Sequence, residues 1–143
     1  MKRKKCRVMT LYNLMRRLFL RGVPLLPRLL HHLIRTVYSC ELPMSCNLAE
    51  DVFLGHNGLG LVVHGDAVVG SGCKIYQNVT LGGRNGQGGP VLGCGVFVGA
   101  GACILGEIRV GDNAKIGANA VVLTDVPEGA VMVGVPARRI NQW

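Results

Sequence analysis

Aromatic side chains are scarce in this sequence of 143 residues, in which Phe, Trp and Tyr together make up 5%. A core built around large rings is therefore excluded, and the apolar residues are mostly Val, Ile, Leu and Ala. Glycine, by contrast, occurs 21 times. Many glycines among small aliphatic residues are typical of a backbone that turns tightly and often, within a chain long enough for one domain with its own core.

Acidic residues are absent from residues 1–40, which carry ten of the sixteen Lys and Arg residues. From Glu41 onward there are six bases and eight acids, so the net charge of +8 belongs to the N-terminal segment. No known binding fold or aromatic interleaving accompanies these bases, which argues against a nucleic-acid partner.

A long uninterrupted apolar run is also missing. After the basic start MKRKKCRVM, four arginines between residues 16 and 28 interrupt the apolar stretch, which excludes a membrane-spanning helix and a clean signal peptide. Residues 1–40 are instead predicted to form two short helices divided near Pro24 and Pro27. Two interpretations stay open: a helical cap on the domain, or a surface through which residues 1–38 contact anionic lipid at the membrane periphery.

The six cysteines form no Cys-x-x-Cys pair and no cluster with histidine at metal-ligand spacing. The sequence therefore predicts no metal site and no disulfide framework. Cys46 and Cys73 fall at inward positions of a six-residue repeat and are expected to be small buried hydrophobic residues. This use of cysteine fits the reducing cytoplasm.

An aliphatic residue recurs at every sixth position through most of the chain, and the residue four places later is small or β-branched. This period is neither the helical 3.6 nor the strand alternation of two; it is typical of short strands and turns stacked into a parallel β-helix. Three hexapeptides complete a triangular coil, so residues 42–127 give about four coils. The aliphatic positions are Leu42, Leu48, Leu54, Val63, Val69, Ile75, Leu81, Leu92, Val98, Ile104, Val110, Ile116 and Val122.

Two hexapeptides carry extra residues and are predicted to project as loops, where function concentrates. The one that starts at Leu54 has nine residues and includes His56, and the one that starts at Leu81 has eleven and includes GGRNGQGGPV. Counting the sides of the triangle puts Glu41 and the loop 55–62 at one corner in adjacent coils. A carboxylate there can fix the tautomer of His56 and stabilise its imidazolium, which predicts that His56 acts as a base.

The remaining histidines give less specific indications. His64 follows the aliphatic Val63 and faces outward near the same corner, so it either binds an acceptor, serves as an alternative base or is merely structural. His31 and His32 lie in a predicted helix and are expected to be structural.

The repeat resembles that of the hexapeptide-repeat acyltransferases, whose left-handed parallel β-helix is an exception to right-handed crossovers. The stretches GLGLVVHGDAVVGSGCKIYQNVTLGG and VFVGAGACILGEIRVGDNAKIGANAVVLTDVPEGAVMVGVPARRI are similar to serine acetyltransferases and their relatives in surface-polysaccharide gene clusters. The resemblance covers roughly residues 38–140. It implies an all-β, left-handed parallel β-helix over residues 41–128, preceded by the helical segment 1–40 and followed by a C-terminal tail over residues 129–143.

The resemblance implies that acetyl-CoA donates an acetyl group directly to an acceptor hydroxyl, without a metal. His56 matches the catalytic histidine of the family, and Glu41 matches its acidic partner, which is Asp in those enzymes. The coenzyme A groove of the family lies between neighbouring β-helices, which implies a homotrimer. Arg138 and Arg139 either meet the donor phosphates or form a solvated basic tail. The positions that match the groove along the donor's pantetheine arm are Gly83, Ala100 and Ala118.

Two departures from the family concern the acceptor. Serine acetyltransferases carry Asp immediately before the catalytic histidine, where this sequence has Gly55. They also carry histidine before the proline that closes the long loop, where this sequence reads GQGGPV. Both positions help to hold the amino acid, so the acceptor stays open between serine and a sugar hydroxyl of surface polysaccharide. A non-catalytic β-helix that serves as a scaffold or assembly module is the alternative to an enzyme.

Overall fold

The computed structural model describes residues 6–141; residues 1–5 and 142–143, which include the first four bases of the basic segment, lie outside the described range. A helical hairpin comes first, formed by α1 (Arg7–Leu20) and α2 (Leu26–Tyr38). The break between the helices falls at the predicted prolines. Pro27 lies in the first turn of α2, where its missing N–H would have no partner within the helix.

The described part of the chain then forms short strands of two or three residues separated by tight turns. They are β1 (Asn47–Leu48), β2 (Phe53–Leu54), β3 (Val62–Val63), β4 (Val68–Val69), β5 (Lys74–Ile75), β6 (Thr80–Gly82), β7 (Val91–Leu92), β8 (Phe97–Val98), β9 (Cys103–Leu105), β10 (Arg109–Val110), β11 (Lys115–Ile116), β12 (Val121–Val122), β13 (Val131–Val133) and β14 (Arg138–Ile140).

The strands stack into three sheets, one for each side of a triangle. Sheet A contains β3, β6, β9 and β12, sheet B contains β1, β4, β7 and β10, and sheet C contains β2, β5, β8, β11, β13 and β14. Successive coils pair in parallel and in register; Val63 lies opposite Leu81, and Leu81 lies opposite Ile104. The predicted left-handed parallel β-helix of about four coils is confirmed.

The interior of the solenoid is filled by the periodic side chains. All thirteen aliphatic positions are at most 3% exposed. The small or β-branched residues four places later are at most 5% exposed, and Cys46 and Cys73 among them are fully buried. The inward side chains occupy the same positions in every coil, so the side chains of one coil pack directly on those of the next. This stacking removes their apolar surface from water.

Helix α1 covers the first coil of the solenoid. The Tyr12 hydroxyl is buried, donates to the Cys46 carbonyl at 2.6 Å and accepts the Leu48 N–H at 3.2 Å. Arg16 donates to the carbonyls of residues 44 and 45, both at 3.2 Å. The helix therefore pairs backbone groups on the side of the first coil that faces away from the next coil. The buried face of α1 consists of Val8, Met9, Tyr12 and Met15.

The stacking continues past residue 128, where the sequence places the start of a tail. Strand β13 adds to β11 in parallel, with Met132 opposite Ile116, and β14 folds back antiparallel onto β13. The last described strands therefore belong to sheet C, and the β-helix extends beyond the predicted boundary.

Candidate active site

His56 lies on a loop that leaves the solenoid at the corner between sheets C and A. His56 and Asn57 both adopt the left-handed backbone conformation, with φ of 51° and 56°, which few residues other than glycine and asparagine accept readily. The loop is anchored where it rejoins the stack, because the Gly60 N–H donates to the Ser39 carbonyl at 2.8 Å. The backbone therefore holds the exposed imidazole away from the core.

Gly55, immediately before His56, packs so closely against an aromatic ring that no side chain fits at this position. A Cβ atom at this position would lie 2.9 Å from Cδ1 of Tyr76. Tyr76 in turn packs between Phe53 and Phe97, with ring centroids 6.2 and 5.4 Å away. A side chain at position 55, including the Asp of the family pattern, would require this ring to move.

Glu41 lies beside the end of the same loop, as predicted for its backbone. Its N–H donates to the Leu61 carbonyl at 2.8 Å, and its carbonyl accepts the Val63 N–H at 3.0 Å. Its carboxylate contacts helix α2: His31 Nε2 donates to Oε1 at 2.8 Å, and Arg35 Nη1 lies 3.2 Å from Oε2. No hydrogen bond joins Glu41 to His56 within residues 6–141. The two residues share a corner without sharing a bond.

A small cleft lies between α2 and the outer face of sheet A, next to this carboxylate. Its volume is about 280 Å³, and Glu41 and Arg35 are its charged lining residues. The other lining residues are Ser39, Cys40, Gly60, Leu61 and Val62. A larger groove of about 740 Å³, between α1 and residues 50–53, contains none of the candidate residues. The small cleft is therefore the one that adjoins the base of the His56 loop.

His64 follows β3 at the carboxyl end of the strands of sheet A, on the corner between sheets A and B. Its Nδ1 accepts the Asp66 N–H at 3.2 Å, so a neutral His64 carries its proton on Nε2. A Cβ at Gly83 would lie 3.4 Å from that Nε2. The same Nδ1 lies 3.6 Å from Asp66 Oδ2, so one edge of the ring faces Asp66 and the other faces Gly83.

The glycine-rich loop folds back over His64. A Cβ at Gly83 would lie 2.5 Å from the Gln87 carbonyl oxygen, and one at Gly89 would lie 2.9 Å from Cβ of His64. The Gly88 N–H donates to Glu107 Oε1 at 3.0 Å. The absence of side chains at these positions is what lets the loop close on itself and on the histidine.

Ala100 and Ala118 follow the His56 loop down the corner between sheets C and A. The Asn78 N–H donates to the carbonyl of residue 59 at 2.9 Å, and the Asn119 N–H donates to the Ala100 carbonyl at 2.9 Å. A Cβ at Gly99 would lie 2.6 Å from the Ala118 nitrogen. The coils of Ala100 and Ala118 therefore present small residues on this corner, whereas the coil next to the His56 loop presents Tyr76 and Gln77.

Arg138 and Arg139 are exposed on β14, at the opposite end of sheet C from β2. Four strand spacings separate β2 from β13, which corresponds to about 19 Å along the solenoid axis. The structure thus brings His56 together with Ala100 and Ala118 on one corner and His64 with Gly83 on another. The two arginines lie at the far end.

Sequence analysis, which interpreted His31 as structural, did not predict the contacts of His31 and Arg35 with Glu41. Both lie on the face of α2 that meets Glu41, one helical turn apart. The spacing of a histidine and an arginine by four residues, just before an acidic residue, is the signal that could have identified them. Among residues 6–141, no group of three or more His, Cys, Asp or Glu side chains is arranged to hold a metal ion.

The solenoid and its exposed histidine loop define a hexapeptide-repeat transferase, and residues 89–124 match the bacterial transferase hexapeptide model. The chain is 45% identical over 126 residues to a serine acetyltransferase of Synechococcus elongatus, covering 86% of this chain and 51% of that protein. It is 40% identical over 134 residues to a serine acetyltransferase of Helicobacter pylori, covering 92% and 78%. The chain belongs to the serine acetyltransferase family.

Solved structures agree with this assignment. A Neisseria gonorrhoeae serine acetyltransferase in complex with serine superposes with a TM-score of 0.86 at 39% identity, over 92% of this chain and 54% of that one. A serine acetyltransferase in complex with CoA gives a TM-score of 0.84 at 36% identity, over 93% and 55%. The chain spans about half the length of the Synechococcus relative and of these solved chains.

Proposed function

We propose that this chain is an acetyl-CoA-dependent O-acetyltransferase in which His56 is the general base. The observation that carries the proposal is the exposed imidazole on a fixed loop, in line with the small-residue edge at Ala100 and Ala118. Membership of the serine acetyltransferase family supports it, since a relative of known structure is described in complex with CoA.

The chemistry follows from an unprotonated ring nitrogen of His56. That nitrogen takes the proton of the acceptor hydroxyl while the oxygen attacks the thioester carbonyl carbon. Backbone N–H groups stabilise the tetrahedral oxyanion. The carbon–sulfur bond then breaks, the acetyl group stays on the acceptor oxygen, and the imidazolium proton goes to the departing CoA thiolate. The cycle is balanced without a covalent enzyme intermediate.

The donor fits the length of the solenoid edge. Ala100 and Ala118 allow a ligand to approach the backbone closely, as does Gly83 on the other corner. The basic pair Arg138 and Arg139 lies on β14, five strand spacings or about 24 Å from β2 and the coil of His56, at a distance suited to the phosphates of a long, flexible donor. We assign the adenosine end to the arginines and the thioester end to His56.

L-serine is the first acceptor to test, because a related enzyme is described in complex with serine. A sugar hydroxyl is the second, and a specific observation favours it. The position before His56 holds Gly55 against the Tyr76 ring, so no carboxylate is available there for an amino group. Aromatic faces are common partners of apolar sugar faces, and the rings of Tyr76 and Phe97 lie at this edge.

The site is proposed to be shared between subunits of a homotrimer. His56 with Ala100 and Ala118 occupies one corner of the subunit, whereas Gly83 and His64 occupy the next corner along sheet A. A groove between two copies brings the first corner of one subunit to the second corner of its neighbour. This arrangement would give both sets of residues a role.

The helical segment is proposed to contact anionic lipid through α2. Basic residues accompany a stripe of exposed apolar side chains on this helix, as in interfacial helices. In the described residues no helix is long and apolar enough to span a bilayer. Flotation with phosphatidylglycerol vesicles, lost in Leu29→Ser/Leu33→Ser, would support the contact; equal recovery with neutral vesicles would contradict it. The stripe consists of Leu26, Leu29, Leu33 and Val37.

Thiol release from acetyl-CoA with a panel of L-serine and sugars tests the catalytic proposal. His56→Ala is expected to lower kcat by about 10²- to 10⁴-fold, since the general base is lost. The matched control is His32→Ala, which removes another exposed histidine of the same chain. Full activity in His56→Ala would contradict the assignment of the base.

A non-catalytic scaffold is the alternative. Calorimetric titration with acetyl-CoA and with CoA separates the two functions independently of the acceptor. Binding of either ligand, weakened by Ala100→Trp at the corner of His56, supports the enzyme. Absence of binding of both ligands supports the scaffold.

A further inference from the structure

Helix α2 contributes two side chains that contact the Glu41 carboxylate, which the family resemblance assigns as the acidic partner of His56. His31 Nε2 lies 2.8 Å from Glu41 Oε1, and Arg35 Nη1 lies 3.2 Å from Oε2. Each carboxylate oxygen therefore has one basic partner from the same helix. A carboxylate has about four lone-pair sites, so both oxygens can accept a further hydrogen bond.

These contacts belong to a closely packed part of the molecule. The side chain of His31 is 20% exposed and that of Glu41 is 26% exposed, whereas that of Arg35 is 67% exposed. Ile34, between the two basic residues, is fully buried in the apolar core, and α2 packs against α1. Arg28, seven residues before Arg35, is exposed on the same helix. The helix therefore directs one of its arginines to Glu41 by its packing.

The end of α2 is also tied to the His56 loop. Ser39 follows the helix in the left-handed conformation, with φ of 52°, and its carbonyl accepts the Gly60 N–H at 2.8 Å. Leu61 then binds the Glu41 N–H through its carbonyl at 2.8 Å. The helix, the carboxylate and the loop thus form one connected unit over residues 31–61.

We infer that His31 and Arg35 are positioning residues for the transferase reaction. They fix the Glu41 carboxylate on the outer face of sheet A, where it can accept the ring N–H of His56 and hold the opposite ring nitrogen towards the acceptor. Without them the carboxylate side chain rotates freely beside the cleft. This inference rests on the proposed function and makes the helical segment part of the active site.

The two substitutions that remove the contacts are His31→Leu and Arg35→Met. Each is expected to lower kcat about ten- to hundredfold, because misplacement of the group that orients a base has effects of that size. The KM for acetyl-CoA and the affinity for CoA are expected to stay unchanged, since neither residue lies on the Ala100 edge. His31→Gln and Arg35→Lys keep a donor in place and are expected to recover most of the rate.

Matched controls lie on the same helix. His32→Leu and Arg28→Met change the same residue types at exposed positions that do not contact Glu41. Both are expected to keep the wild-type kcat. A loss of rate in these controls equal to that in His31→Leu and Arg35→Met would show a general effect of helix packing and overturn the inference.

A second readout does not depend on turnover. In ¹⁵N-labelled protein, the ring nitrogens of His56, assigned by their loss in His56→Ala, report its tautomer. Arg35→Met is exposed enough to fold normally and is expected to shift these resonances, as is Glu41→Gln. Unchanged His56 resonances in both variants would overturn the inference even if His56→Ala is inactive; full activity of His56→Ala would overturn the proposed function instead.

Discussion

The imidazole of His56 has no hydrogen-bond partner among the described residues, and its position is set by the backbone. Two successive left-handed residues, His56 and Asn57, turn the loop outward. The carboxylate at the same corner is held by α2 instead. The proposed base and its proposed carboxylate partner are thus held by different elements, so each can be altered separately.

The role of Glu41 is tested by Glu41→Gln, which keeps the shape of the side chain and removes its charge. We expect kcat to fall at least about tenfold, because an amide stabilises the imidazolium less well than a carboxylate. Affinity for CoA, measured by calorimetry, is expected to stay unchanged. The control is Glu50→Gln, which removes an exposed acid paired with Arg17 at 2.6 Å. A change confined to CoA affinity would contradict this role.

The burial of cysteine thiols predicts that the folded state loses stability at alkaline pH. Burial raises the pKa of the Cys73 thiol from its ordinary value of 9.0 to about 11. Between these values the folded state keeps a proton that the unfolded state has lost, so the free energy of unfolding falls as pH rises from about 9 to about 11. Cys73→Ala is expected to flatten that slope in urea unfolding. Exposed Cys94→Ala is expected to leave it unchanged, and an equal slope in both variants would contradict the prediction.

At the same scale, the roles of single residues were only partly predictable from the sequence. The coil count placed the backbone of Glu41 beside the His56 loop, because a six-residue period fixes which residues share a corner. It could not give the contacts of its carboxylate, which depend on how α2 packs against the solenoid. For the same reason His31 was expected to be structural. A contact between a helix and the solenoid cannot be predicted from the residue period of either element alone.

At the scale of elements, α1 caps the solenoid through the Arg16 guanidinium and the buried Tyr12 hydroxyl. Tyr12→Phe removes the donor to the Cys46 carbonyl and the acceptor of the Leu48 N–H. The Cys46 carbonyl keeps its hydrogen bond from Arg16, so the substitution leaves the buried Leu48 N–H unpaired. One such group costs about 1–3 kcal/mol, so the free energy of unfolding is expected to fall by that amount. Urea unfolding at one fixed protein concentration measures it, because assembly contributes to apparent stability.

The control for the cap is Tyr38→Phe. Tyr38 is partly buried against the core, and its hydroxyl forms no hydrogen bond within residues 6–141. Its substitution is expected to change the free energy of unfolding by less than about 0.5 kcal/mol. Equal losses in the two variants would indicate that packing of the hairpin, and not the Tyr12 hydroxyl, closes the first coil.

Elements of the fold were more predictable than contacts. The positions of the strands follow from the aliphatic period, since every predicted inward residue is buried. The helices follow from Pro24 and Pro27. The extent of the last coil was underestimated, because the segment after residue 128 continues the sheet as β13 without the full hexapeptide pattern and then reverses as β14. Ala130 and Met132 are buried core residues of this segment, and β14 adds backbone pairing.

At the scale of the whole molecule, the candidate residues divide between two corners. Ala100 and Ala118 lie on the same corner as His56, between sheets C and A. Gly83 lies beside His64 on the other corner of sheet A, between sheets A and B. A single subunit therefore presents two half-sites about one strand length apart, on either side of sheet A. Such a division is expected if each groove is completed by a neighbour, and light scattering of the purified chain is expected to give the mass of a trimer.

Mixed trimers test whether the half-sites come from different subunits. His56→Ala inactivates one half-site. Gly83→Val distorts the other, because a Cβ there lies 2.5 Å from the Gln87 carbonyl oxygen. Each variant alone is expected to be nearly inactive. If the two are unfolded together and refolded at equal amounts, one groove in about four pairs an intact His56 corner with an intact Gly83 corner in a cyclic trimer.

Thiol release from acetyl-CoA is therefore expected to return to about a quarter of the wild-type rate in the refolded mixture. The control is the same mixture of separately refolded variants, which should stay inactive because no subunits have exchanged. A site contained within one subunit has no intact copy in either case, since every chain carries one of the two substitutions. If the refolded trimers have no activity, His56 and Gly83 belong to one site within a single subunit, which contradicts the shared site.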